Sequence, residues 1–212
     1  MSDNDKIRRS CVDCVGSACE DDEYKFPPFC MSQNLKPGLR AESIEGYVND
    51  EENLKISMTS AYVEAEGYGM WPRVKEICEF AKRMGYKKIG IATCVGLLTE
   101  SRAMAKLLRH YGLEVVGVSC KCGSVKKQEI GVDDEKCGLG DYICNPILQA
   151  KVLNDEKTDF NVIMGLCVGH DTLFIKHSDA PITVAVTKDR VTGHNPAVAL
   201  YQLDSYYSKL LK

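Results

Sequence analysis

The sequence predicts an α/β protein, a doubly wound and mainly parallel sheet of about four strands with helices on both faces, plus a helical and cysteine-rich N-terminal appendage. Three observations predict it. Short, nearly uninterrupted apolar runs recur between residues 87 and 186, as expected of strands buried on both faces. Amphipathic runs of helical period separate them, and strands alternating with helices form parallel sheets. Residues 1–37 follow neither period yet hold four cysteines.

Residues 1–37 therefore read as a cysteine-rich metal-binding segment and 38–212 as the α/β domain. From residue 38 the pattern is helical, with one helix expected within EENLKISMTSAYVEAE (51–66). Pro72 suits a first helical turn and opens PRVKEICEFAKRMG, with Val74, Ile77, Phe80, Ala81 and Met84 on one face and Gly85 ending it. KKIGIAT is a short buried strand, TESRAMAKLLRHYG an amphipathic helix closed by Gly112, and LEVVGVS a second strand. NPILQAKVLN is a helix with Asn145 as cap and Pro146 in its first turn. FNVIMGL is a third strand, HDTLFIKH a short helix, PITVAV a fourth strand and NPAVALYQLDSYYSKLL a last helix.

At 212 residues the chain suits one main core. It is 44% apolar and 27% charged with net charge −3, which gives no basic face and argues against nucleic acid as a partner. The start MSDNDKIRRS lacks the apolar centre of a signal peptide, and no apolar run approaches the ~20 residues that span a bilayer. A cytoplasmic protein without a membrane partner is expected.

The unusual feature is eleven cysteines. Their number is odd and the expected compartment is reducing, so metal binding or thiol chemistry is favoured over disulfides. Cys78, on an apolar helix face, reads as packing. Others fall at strand ends: Cys94 after the first strand, Cys120 and Cys122 after the second, Cys167 after the third. In a doubly wound sheet those ends lie along one edge, beside the crevice where ligands bind. Gly96, Gly123 and Gly169 follow these thiols and allow close backbone approach to a cofactor. Helix starts after the thiols favour the thiolate.

Cys137 and Cys144 lie in the loop DEKCGLGDYICNP, which returns near the same edge, giving six candidate ligands where an iron–sulfur cubane needs four. Structural zinc prefers local pairs, so ligands scattered from 94 to 167 suit an iron–sulfur cluster better, although both metals accept four thiolates. Metal-free thiol chemistry is a third alternative. The N-terminal set Cys11, Cys14, Cys19 and Cys30 is compact and coreless, as a metal-folded module is, for zinc or an iron–sulfur cluster.

His170 and Asp171 follow Cys167, and His194 follows the fourth strand. These are candidate catalytic groups, His170 as acid/base or ligand. Asp171 reads equally as a helix cap and His170 as a turn residue. The dinucleotide fingerprint is absent after the first strand, so a nicotinamide cofactor has no support.

With C94-V-G, S-C120-K-C122-G, C144-N-P, G-L-C167-V-G-H170-D and T-G-H194-N-P, the chain resembles the prokaryotic domain-of-unknown-function family numbered eighteen forty-seven. The resemblance implies metal binding through cysteines and no assigned reaction. A looser likeness to desulfidases and heterodisulfide reductase subunits is analogy. The resulting expectation is an iron–sulfur cluster at the sheet edge serving redox or sulfur-transfer chemistry, with an electron donor or small sulfur-containing substrate as partner. The alternatives are a zinc-binding structural or regulatory protein, and a thiol enzyme using Cys94 or Cys167 with His170 or His194 as base.

Overall fold

A computed structural model describes residues 10–16, 19–21, 23–132, 138 and 140–212. The chain divides into two units, Met1–Met58 and Thr59–Lys212. The compositional boundary at 37/38 lies inside the first. That unit contains α1 (Leu39–Val48) and the beginning of α2 (Glu51–Gly67). Among its described residues only Cys30 is buried, so it has no hydrocarbon core of its own.

The second unit begins with the remainder of α2, followed by α3 (Arg73–Met84), stopped by Gly85 in the left-handed conformation. There follow β1 (Lys88–Thr93), α4 (Leu98–His110) and β2 (Glu114–Ser119). A small antiparallel ribbon, β3 (Val125–Lys126) with β4 (Tyr142–Ile143), precedes α5 (Pro146–Asp155). Then come β5 (Phe160–Met164), α6 (His170–His177), β6 (Ile182–Val186) and α7 (Ala197–Tyr201). The four long strands form one parallel sheet in the order β2-β1-β5-β6. The chain leaves β1 in one direction to reach β2 and returns past it to β5, so the topological switch point lies between β1 and β5.

Alternation along the strands builds two cores. Ile89, Ile91, Phe160, Val162 and Met164 meet Ile77, Cys78, Ala81, Met104 and Leu108 of α3 and α4. On the other face Ala92, Val118 and Ile163 meet Ala150 and Leu153 of α5 and Phe174 of α6. Burial on both faces explains why β1 and β5 read as continuous apolar text. A polar exception is Asn161, fully buried, which accepts from the Thr158 hydroxyl at 2.8 Å and donates to the Ser178 hydroxyl at 2.8 Å. Its register partner is Gly90, where any Cβ would collide with the Asn161 carbonyl oxygen and Leu153.

The sheet's two edges differ. At β6, Arg73 donates through Nε to the Val184 carbonyl (2.7 Å) and through Nη2 to the Thr183 hydroxyl (3.0 Å). β2 has no such cover among the described residues. The helix expected over 195–211 is also shorter than its text suggests: α7 stops at Tyr201, and turns lead to a 3₁₀ turn at Ser208–Leu211. The Ser205 hydroxyl folds back onto Gln202 Oε1 at 2.8 Å, a local bond that competes with helix. Leu200, Tyr201, Tyr206 and Leu210 are exposed, so no buried stripe holds the segment helical. Among the described residues no helix is long and apolar enough to cross a membrane.

Cys78 is fully buried, and burial, with the Glu79 charge adding to it, pushes its thiol up to about 11. The folded thiol is thus harder to ionise than the unfolded one. Its contribution to stability is complete below the ordinary value of 9.0 and is lost as pH rises toward 11. Denaturant titrations across that window should show the native protein losing on the order of 2 kcal/mol more than Cys78→Ala. Equal slopes would show that the thiol ionises freely in the folded state.

Candidate functional site

The ladder ends level. Cys120 N–H donates to the Thr93 carbonyl at 2.7 Å, Cys94 N–H to Met164 at 3.2 Å, and Gly165 N–H to Val186 at 2.8 Å. All four strands therefore release their chains along one edge. The strand period carries one step further: Cys94 lies two residues beyond Ala92 and Cys120 two beyond Val118, so both thiols join the core face shared with α5 and α6. Both are buried.

Two more thiols arrive from loops. Asn145 N–H donates to the Cys120 carbonyl at 2.8 Å, while its side chain caps α5 through Leu148 N–H (3.0 Å) and donates to the Gly123 carbonyl (2.8 Å). This anchors Cys144 beside Cys120. Cys167 follows Gly165, whose φ of 69° lets the chain turn off β5 where a Cβ would strike Leu97. The Cys167 carbonyl then accepts the first amides of α6, from His170 (2.9 Å) and Asp171 (3.0 Å).

Electrostatics tie the four together. Arg190 Nη2 donates to Cys167 Sγ at 3.0 Å. That bond and the Cys167 charge, with smaller contributions from Cys94 and Cys144, hold the Arg190 guanidinium more firmly protonated than usual. Burial pushes the Cys120 thiol up to about 12. Val95 N–H, donated at 3.4 Å, partly offsets this, while the hydrogen bond with Cys144 and the charges of Cys144 and Cys94 add to it. Helix-start amides were expected to favour thiolates; at Cys120 desolvation outweighs the one that reaches it. Lys188 approaches from the same loop as Arg190: a Cβ on Gly96 would lie 3.8 Å from its Nζ and 3.9 Å from Cys94 Sγ. Beneath, fully buried Gln149 donates to the carbonyls of Val118 (2.7 Å) and Thr93 (3.2 Å), bridging β2 and β1 directly under the thiols. Its Oε1 has no hydrogen-bond partner among the described residues.

The structure thus brings Cys94, Cys120, Cys144 and Cys167 into one neighbourhood. Cys122 is set apart: the chain turns at Cys122 N–H to Ser119 carbonyl (3.0 Å), strand alternation ends, and the exposed thiol lines a groove between α4 and β2. Cys137 lies outside the described residues. In the first unit Cys11 and Cys19 are exposed, Cys14 donates to the Gly16 carbonyl at 3.7 Å, and Cys30 is buried. Among the described residues no three His, Cys, Asp or Glu side chains are arranged to hold a metal ion.

His170 begins α6, where burial holds its imidazole below the usual value, Asp171 opposing and Lys121 assisting. Asp171 accepts from Thr172 N–H at 2.7 Å. His194 serves its own loop: its Nδ1 accepts from Asp189 N–H (3.1 Å) and its N–H donates to the Asp189 carbonyl (2.8 Å), bracing the residue between Lys188 and Arg190. Gly96 flanks the thiols, Gly123 leaves room for Leu148, and Gly169 precedes α6 with φ of 85°. Lys188, Arg190 and Gln149 escaped the sequence reading. The first two carried a signal, because the text TKDR follows PITVAV directly and so leaves the fourth strand at the same edge.

By architecture this is a doubly wound α/β protein with a thiol-lined crevice at its strand ends. It belongs to the family described as protein of unknown function (DUF1847), whose model matches residues 30–185. An uncharacterized protein of Methanocaldococcus jannaschii is 46% identical over 180 residues, spanning 84% of this chain and 91% of its own length. The family match includes all four crevice cysteines and Cys30, while Cys11, Cys14 and Cys19 precede it.

Thiol reactivity checks this geometry. Brief treatment of the metal-free protein with iodoacetamide near neutral pH, followed by peptide mass mapping, should label Cys122 at least about tenfold faster than Cys120, whose thiolate is scarce and buried. Equal rates would mean that the crevice stands open.

Proposed function

We propose that the crevice holds a soft-metal centre, an iron–sulfur cluster in the first instance, bound through Cys94, Cys120, Cys144 and Cys167 and serving electron or sulfur transfer. The supporting observation is the convergence of these thiols at the strand ends: Cys94 and Cys120 lie in one buried cluster with Cys144 packed against it, and Arg190, which donates to Cys167 Sγ at 3.0 Å, is held protonated by Cys167 with smaller contributions from Cys94 and Cys144. The donor chemistry fits such a centre, and the four side chains would have to close on it, since they are not arranged around an ion as they stand. Thiolates are the preferred ligands of iron–sulfur clusters and of zinc, and hard ions favour carboxylates instead. Four thiolates are strongly anionic, and Arg190 and Lys188 supply compensating positive charge beside them. When bound, the centre would supply an electron-accepting or sulfur-accepting group at the strand-end edge. The chain's residues would position it: Asn145 through Cys144, Gly165 through Cys167, and His194 by bracing the loop of Lys188 and Arg190.

A zinc reading is favoured by a separate observation in the first unit. Cys30 is its only buried described residue, and segments without a core are commonly folded by a metal. Cys11, Cys14, Cys19 and Cys30 would then form a structural zinc site.

Anaerobic reconstitution with ferrous iron and sulfide tests the main reading. The expected product is brown and contains iron and acid-labile sulfide in equal amounts. Cys120→Ser and Cys144→Ser should lose most of both, and Cys122→Ser should retain them. Uptake of neither element would overturn the cluster, and a colourless protein with stoichiometric zinc at these cysteines would replace it with the zinc alternative. In the reconstituted protein, Arg190→Gln should shift the reduction potential negative, because an adjacent positive charge favours the reduced form. An unchanged potential in a redox titration would remove Arg190 from the site.

A further inference from the structure

The open edge of the sheet points to a second, separate function. In β2 the bonds from Glu114 N–H to Lys87 (2.8 Å) and from Cys120 N–H to Thr93 (2.7 Å) fix which residues face β1: 114, 116, 118 and 120. By the period of two, the backbone groups of Val115 and Gly117 and the Ser119 N–H point away from the sheet. No described residue bonds to them; the Ser119 carbonyl alone is taken, by Cys122 N–H. At the other edge Arg73 takes up the Val184 carbonyl and the Thr183 hydroxyl.

The edge is also shaped. A groove of about 570 Å³ runs between α4 and β2, lined among others by Ser101, Arg102, Arg109, Gly117, Ser119 and Cys122. Gly117 is exposed, and a Cβ built on it meets nothing within 4 Å, so the strand carries a hollow at its midpoint. Arg102 and Arg109 stand seven residues apart on α4, about 10 Å along its axis. Both are exposed and neither enters an ion pair among the described residues. The one acid of α4, Glu100, lines a different hollow with Arg73 and His194, and Glu114 at the start of β2 pairs with Lys88 at 3.5 Å.

We infer that β2 is a docking edge for an extended acidic segment of another protein, which adds as a fifth strand. Its main chain bonds the outward groups of Val115, Gly117 and Ser119. Every second side chain faces α4, an apolar one entering the hollow at Gly117 and carboxylates on either side meeting Arg102 and Arg109. At about 3.3 Å per residue the arginine spacing falls between acids two and acids four positions apart, the two same-face spacings nearest to it. Strand addition of this kind takes affinity from the main chain and specificity from alternate pockets. A second copy of this chain is the poorer occupant, because twofold pairing of β2 would bring the cationic faces of two α4 helices together. The site is independent of whether the crevice holds a metal.

Fluorescence anisotropy with two labelled peptides, Glu-Thr-Phe-Thr-Glu-Thr and its Lys-Thr-Phe-Thr-Lys-Thr counterpart, tests it on the full-length protein. The acidic peptide should bind about tenfold more tightly, and more weakly as salt rises. The double variant Arg102→Glu with Arg109→Glu should reverse the preference. Gly117→Val, which fills the hollow without breaking strand geometry, should abolish binding while circular dichroism stays unchanged. Equal affinity for both peptides, absence of binding, or acidic-peptide binding that survives the charge reversal would each overturn the proposal. So would a sedimentation-detected dimer that Gly117→Val dissolves, which would assign the edge to a second copy.

Discussion

The candidate centre depends on a single alignment, the level finish of the parallel ladder. Because Cys120, Cys94 and Gly165 each donate their amide to the adjoining strand's terminal carbonyl, three strands deliver their next side chains to one height. A slip of one residue in any of these pairings would turn a thiol to the opposite face and among the hydrocarbon of α3 and α4. Gln149 reinforces the alignment from below by joining the carbonyl ends of β1 and β2. Its fully buried amide is a polar support set where the two strands separate. The chemistry at the edge is therefore a product of register before it is a product of residue type.

Register places the thiols, and the balance of burial against charge then makes them unequal. Cys120 sits deep enough that desolvation dominates its ionisation. Cys167, at the rim, keeps a guanidinium at 3.0 Å. The same atoms offer a protected interior position and a charge-compensated outer one. The first unit contrasts with this arrangement: Cys11, Cys14 and Cys30 sit in local turns, and Cys30 is its one buried residue among those described.

Much of this was readable from the residues. Near-continuous apolar runs such as KKIGIAT and FNVIMGL can be buried on both faces only in a covered parallel sheet, and the Asn-Pro pair at 145 and 146 marked a helix start that the structure caps as expected. Strand-end placement of Cys94, Cys120 and Cys167 followed from the same logic. Cys122 shows where it stopped: spacing puts it with Cys120, but the turn closed by Cys122 N–H on the Ser119 carbonyl redirects it, and the path just beyond, at Gly123, is set by Leu148 and Asn145. Cys144 was a candidate because its loop returns to this edge, and the bond from the adjacent Asn145 N–H to the Cys120 carbonyl is what holds it there. Arg190 and Lys188 were missed because a charge after a strand reads as solvated until a partner is seen. The C-terminal run looked helical, yet its apolar residues have nothing to cover.

The guanidinium of Arg73 on the outermost strand has a consequence for assembly. A sheet with both borders free can recruit neighbours without limit, and polymerisation is the familiar hazard of such proteins. Here one border is engaged by the molecule's own side chain at Val184 and Thr183. Two copies meeting through their free borders would turn only guarded ones outward, so identical molecules cannot chain sheet to sheet into fibres without displacing Arg73.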